Sequence, residues 1–144
     1  MVARVTGVRS VEIEMTDPDR AAEFYAKIWN LSEVLRANGS IYFRGTCSYH
    51  HILAVHPAEH GAALRRIVYE AASKSVVDQL CQQVRAKAPS CEEPRSLNTP
   101  GGGYGFGFAD IHHCNYAVVC GGSDHKDAID AKDRPRKIAH VNVN

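Results

Sequence analysis

Gly7-Val8-Arg9-Ser10-Val11-Glu12-Ile13-Glu14-Met15, then Thr16-Asp17-Pro18-Asp19, then Arg20-Ala21-Ala22-Glu23-Phe24-Tyr25-Ala26-Lys27-Ile28-Trp29, reads as a strand passing through a cap into a helix. Val11, Ile13 and Met15 alternate with polar residues, the period of a half-buried strand. Thr16 and Asp17 can cap, Pro18 suits the first helical position, and the acids favour the first turn. Ala21, Phe24, Tyr25 and Ile28 recur at helical spacing, which predicts that this stripe packs on the core. Asn30, tolerant of the left-handed conformation, should end the helix. Strand-like runs follow at residues 32–37, 40–44 and 50–56, with Asn38-Gly39 as a hairpin turn. The first unit is therefore strand, helix, and three strands.

The order then repeats. Residues 64–71 read as a strand containing Ile67, Val68 and Tyr69, and Ser73 can cap a helix with Val76, Val77, Leu80, Cys81 and Val84 on one face. Pro89 and Pro94 bound its exit. Gly101-Gly102-Gly103 eases the chain into strands at 104–108 and 115–120. Val8-Arg9-Ser10-Val11 overlies Leu64-Arg65-Arg66-Ile67 in order and spacing, though hardly in identity. Two copies suggest a pseudo-symmetric pair, not a solenoid. The fold class expected is α+β: modules 1–60 and 61–120, each βαβββ, forming one cupped mixed sheet with helices outside. Residues 121–137 have linker composition. The alternation resumes from Lys137 through Val143, so 138–144 is expected to open a further, truncated module.

The 144 residues suit one domain that buries about two-thirds of its unfolded surface. Seventeen Lys and Arg against sixteen Asp and Glu leave a net charge of +1, which removes the usual reason to expect nucleic acid or an anionic membrane as partner. No apolar run approaches the ~20 residues of a membrane span, and residues 1–6 carry no signal-peptide pattern. Five cysteines without C-x-x-C spacing favour reduced thiols and a cytoplasmic location. Exposed strand edges suggest a homo-oligomer.

The tandem units, with the segments 17–29, 49–56 and Thr99-Pro100-Gly101-Gly102-Gly103-Tyr104-Gly105-Phe106-Gly107-Phe108, resemble the vicinal oxygen chelate superfamily of glyoxalases, bleomycin-resistance proteins and type I extradiol dioxygenases. The likeness is greatest to the N-terminal domain of two-domain extradiol dioxygenases, whose second half carries the metal. The resemblance implies iron(II) and dioxygen in the parent protein, cleaving a small catecholic substrate. In the superfamily, ligands come from inward positions on the first and last strands of a module. Those positions fall here at Ser10, Arg66 and Ala117. Ser is a poor ligand at neutral pH, Arg does not deprotonate, and Ala has no donor atom, so no cofactor is expected in this chain. His140 takes the corresponding place in the truncated module. By resemblance it is the first iron ligand of an absent C-terminal domain, inert and mobile here.

Other residues have plainer readings. Arg66 should face the cup, binding an anionic ligand or filling the space through an ion pair with Glu12 or Glu14. His51 is a second possible ligand contact. His50 and His51, as strand neighbours, should point to opposite faces. His112-His113 suits a tight turn, and His56 and His60 flank Pro57 in a connecting loop. No nucleophile sits beside a base at a persuasive spacing. The alternatives to a dioxygenase half are a stand-alone small-molecule-binding protein of the bleomycin-resistance type and a divergent glyoxalase-like lyase.

Overall fold

A computed structural model describes residues 2–143. Its elements are β1 (Gly7–Met15), α1 (Pro18–Lys27), β2 (Ser32–Ala37), β3 (Ser40–Arg44), β4 (Leu53–Pro57), β5 (Ala63–Glu70), α2 (Lys74–Arg85), β6 (Ser90–Cys91), β7 (Arg95–Ser96), β8 (Tyr104–Ala109) and β9 (Asn115–Cys120). The starts and turns follow local chemistry. Asp17 Oδ1 accepts from the Arg20 amide at 3.1 Å with Pro18 at the first position of α1. Ser73 does the same for Val76 at the start of α2. Asn38 and Gly39, at φ 53° and 81°, are both left-handed, as a two-residue hairpin requires. Asn30 (φ 55°) turns the chain out of α1.

All nine strands form one mixed sheet in the order β2-β3-β4-β1-β5-β9-β8-β6, with β7 also on β8. The two halves mirror each other. β1 is parallel to β4 and β5 is parallel to β9, while β3 and β8 run antiparallel on the far sides of β4 and β9. The antiparallel β1–β5 ladder, from Gly7–Glu70 to Glu14–Ala63, is the seam. The sheet is the expected α+β cup with both helices on its outer face. In the second half the counterpart of β2 is broken into β6 and β7. Pro94 lies between them and has no amide to give a ladder.

The helix-bearing face holds the core. One cluster joins Ala22, Leu31, Ile41, Phe43, Ile52, Leu53 and Val55, and a second joins Ala71, Val77, Leu80, Cys81, Phe106 and Val118. Val8, Val11 and Ile67 lie between them. The stripe on α2 packs as expected. That on α1 is rotated by about one residue: Ala21, Ala22 and Tyr25 face the sheet, whereas Phe24 and Ile28 are 47% and 69% exposed. The adjacent alanines let α1 lie close to the sheet, and Phe24 turns to the helix flank against Tyr25 and Trp29.

The expected strand over 138–143 is not formed. Residues 121–143 have no regular secondary structure and fold back over the first half. The amides of Thr46 and Cys47 donate to the carbonyls of Pro135 and Arg136 at 2.9 and 3.2 Å, and Ile129 and His125 donate to Thr46 and Ser48, each at 2.7 Å. Ile138 and Val141 cover the core between the helices. A strand needs a free edge, and β1 and β5, over which this tail lies, are paired on both sides. His140 is exposed within this packed segment.

Candidate functional site

The inner face of the sheet lines a cavity of about 500 Å³. Because alternate strand residues share a face, Ser10 and Glu12 of β1, Arg66 and Val68 of β5, and Ala117 and Val119 of β9 all point into it. Across its floor runs a polar row that spans four strands. Ser40 Oγ lies 2.7 Å from His56 Nδ1, His56 Nε2 lies 2.9 Å from Glu12 Oε1, and Arg66 Nε lies 2.5 Å from Glu12 Oε2. Glu12 and Arg66 are direct cross-strand partners. Ser40 and His56 stand one position beyond the Ile41–Val55 pair of β3 and β4. Ser40, His56 and Glu12 are all buried, at 8%, 6% and 7% exposure.

Burial by itself would raise the Glu12 carboxyl. The hydrogen bond from His56 and the adjacent Arg66 guanidinium outweigh it and hold Glu12 down to about 2, so it is ionised at neutral pH. An ionised carboxylate only accepts, which makes His56 Nε2 the donor. In a neutral ring Nδ1 then accepts from the Ser40 hydroxyl. The row is thus satisfied end to end, and no buried side-chain N or O among the described residues lacks a partner. Of the two acidic residues open to Arg66, Glu12 is the one it pairs with, while Glu14 faces Arg65 at a looser 3.8 Å.

Three sequence readings change here. His56 is not in a loop: β4 runs through Pro57, and its side chain is the centre of the row. Ser40 does sit against a base, a pairing made by strand register across residues distant in sequence. His50 and His51 precede β4 in a bend, where strand alternation does not apply. Their Nδ1 atoms meet at 2.9 Å at the cup's lip. Burial, then the neighbouring His50, pushes His51 down to about 4, and burial lowers His50 as well, so one neutral ring donates to the other. His51 also packs edge-on to Tyr42. The folded-back tail completes this lip: His125 stacks on His50 and donates from Nε2 to the His50 carbonyl at 3.0 Å. Beside it the buried Arg9 guanidinium binds Glu70 at 2.5 Å, the Gly121 carbonyl at 2.7 Å and Asp124 at 3.2 Å. His112 and His113 form the expected turn, with Asp110 Oδ1 accepting from the amides of His112 and Cys114.

A divalent metal does not fit these residues. Ser10, Arg66 and Ala117 line the cup and offer no anionic or imidazole donor. The nearest donors, Glu12 and His56, are consumed by each other and by a guanidinium. No group of three His, Cys, Asp or Glu among the described residues is arranged to hold an ion.

Paired βαβββ modules, with the inner face of one shared sheet forming a polar cup, define the class of fold. The chain belongs to the Glyoxalase/Bleomycin resistance protein/Dioxygenase superfamily, whose family model matches residues 7–115. No curated protein matches it. Among solved structures it is similar to the Mn(II)-bound glyoxalase from Novosphingobium aromaticivorans, at 32% identity and a TM-score of 0.85 over 95% of this chain and 46% of that one. The 2,3-dioxygenase LapB from Pseudomonas sp. KL28 shares the fold at 13% identity and a TM-score of 0.77, over 86% of this chain and 43% of that one. So does homoprotocatechuate 2,3-dioxygenase from Brevibacterium fuscum, in a complex with 3,4-dihydroxyphenylacetate, at 20% identity and a TM-score of 0.71, over 89% and 41%. The chain spans less than half the length of each. Among the described residues, no helix is long and apolar enough to cross a membrane.

Proposed function

We propose that the chain is the metal-free amino-terminal half of a two-domain cytoplasmic, homo-oligomeric enzyme whose other half holds iron(II) and cleaves a small catecholic ring with dioxygen. The observation that carries the metal-free part is the polar row: a guanidinium occupies the ligand position on β5 and neutralises the carboxylate that a cation would otherwise claim. The match to under half of each neighbour's length supports the two-domain part. On this reading His140 is the first ligand of the other half, and the cup, with Arg66 and His51 on its wall, supports folding or closure. The 32% identity to a manganese glyoxalase favours a second reading, in which the parent is a glyoxalase-like lyase.

Elemental analysis of the purified chain tests the first claim. It should hold no stoichiometric iron, manganese, zinc or nickel and should leave catechols intact. One tightly bound metal per chain, lost on His51→Ala or His56→Ala, would overturn it. Assaying the longer gene product for oxygen uptake with catechols, against lyase activity with manganese, separates the two parents.

A further inference from the structure

Cys81 and Cys91 meet behind the second module, away from the cup. Cys81 is on the buried face of α2, one turn from its end, and Cys91 is the second residue of the edge strand β6. Their sulfurs are 3.7 Å apart, in contact and unbonded. Both lie close to one acceptor, the Glu92 carbonyl, at 3.5 and 3.6 Å. Arg85 Nη2 stands 3.5 Å from Cys81 Sγ and is itself held by Glu93 at 2.8 Å. Cys81 is 2% exposed, whereas Cys91 is only partly buried. Among the described residues, Cys81 and Cys91 are the two of the five thiols that touch each other.

We propose that Cys91 is a site of oxidative modification and Cys81 its resolving partner, the two closing to an intrachain disulfide under hydrogen peroxide. The less buried member, Cys91, reacts first. Cys91 thiolate attacks one peroxide oxygen, an S–O bond forms, the O–O bond breaks, and the departing hydroxide takes up the thiol's proton as water. Cys81 sulfur then attacks Cys91 sulfur. The S–S bond forms, the S–O bond breaks, and the second hydroxide leaves as water with the Cys81 proton. The two sulfurs lose two electrons and the peroxide gains them. Closure asks for about 1.7 Å of approach from the present 3.7 Å to a disulfide's ~2.0 Å. A two-residue edge strand next to a helix end is the kind of element that yields this easily.

The division of roles has a chemical basis. Burial, reinforced by the adjoining Cys91 thiol, pushes the Cys81 thiol above the ordinary range. Protonated at neutral pH, it is a poor first attacker. Arg85 beside it lowers the cost of the thiolate at the moment of resolution.

The purified chain, treated with a few equivalents of hydrogen peroxide, should lose two hydrogens in mass, and on alkylation should then take up three alkyl groups where the reduced chain takes up five. Digestion should yield a peptide joining Cys81 to Cys91, with Cys47, Cys114 and Cys120 alkylated, and dithiothreitol should restore all five thiols. C81S should leave Cys91 as a sulfenic acid that dimedone captures, whereas C91S should leave Cys81 unmodified at the same dose. Because C81S alters a core position, the linked peptide from the unsubstituted chain decides the matter if that variant does not fold. A disulfide to any other cysteine, or Cys91 overoxidised in the unsubstituted chain while Cys81 stays free, would overturn the assignment.

Discussion

Glu12 titrates from 4.5 in an unfolded chain to about 2 in the folded one. Its folded value is depressed, so its contribution is present in full above the unfolded value and is lost as pH falls from about 5 towards 2. The shift corresponds to roughly 3 kcal/mol. Glu12→Gln should therefore flatten the acid limb of a urea-stability profile between pH 5 and 2, and an unchanged limb would mean that the row does not hold a carboxylate. His51 acts in a higher window. Its folded value of about 4 lies below the ordinary 6.5, so the unfolded chain takes up the proton first and stability falls as pH drops from 6.5 to 4. His51→Gln should make that part of the slope shallower, with His50, also lowered by burial, keeping the remainder, and should leave the lower window intact. An ion pair of Arg66 with Glu12 or Glu14 was legible in the sequence, because these positions share the inward phase of their strands, and the β1–β5 register selects Glu12. Ser40 and His56 were not: Pro57 argues for a loop, and only the β3–β4 register brings them together.

Helix α1 shows what periodicity settles and what it leaves open. Spacing alone identifies a helix between the Asp17 cap and Asn30, but two stripes are apolar enough to face inward. The choice fell to Ala21, Ala22 and Tyr25, since small residues permit the closer approach to the sheet. Tyr25→Ala should accordingly cost about 2–4 kcal/mol, and Phe24→Ala, at a half-exposed position, less than about 1 kcal/mol. Chemical denaturation of the two variants checks the order, and equal losses would restore the stripe read from the sequence. The tail escaped sequence reading for a different reason. Its apolar residues Ile138 and Val141 stand three apart, off the period of two, and they serve packing over a sheet face that has no free edge. Gly45 is what allows this: a β-carbon there would sit 2.3 Å from the Arg136 carbonyl and 2.6 Å from that of Pro135. Gly45→Ala should release residues 121–143, seen as faster amide exchange and proteolysis confined to that segment.

At the scale of the molecule, the repeat read along the chain became a single sheet because both first strands pair with each other. The β1–β5 seam is flanked by two cores that sit under different helices, with Val8, Val11 and Ile67 bridging them. Each module alone would leave that seam as an exposed strand edge, with its central apolar residues half uncovered. The modules should therefore unfold together. The single Trp29 reports on the first module, whereas far-UV circular dichroism reports the backbone of both, so the two signals sample the transition differently. In urea the two signals should give one coincident midpoint. Ile67→Ala, at 2% exposure, should lower stability by about 2–5 kcal/mol and move both signals equally, although Ile67 belongs to the second module and Trp29 to the first. A tryptophan midpoint that stays put while the circular dichroism midpoint falls would show two independently folding modules, and the seam would then be a docking surface instead of a shared core.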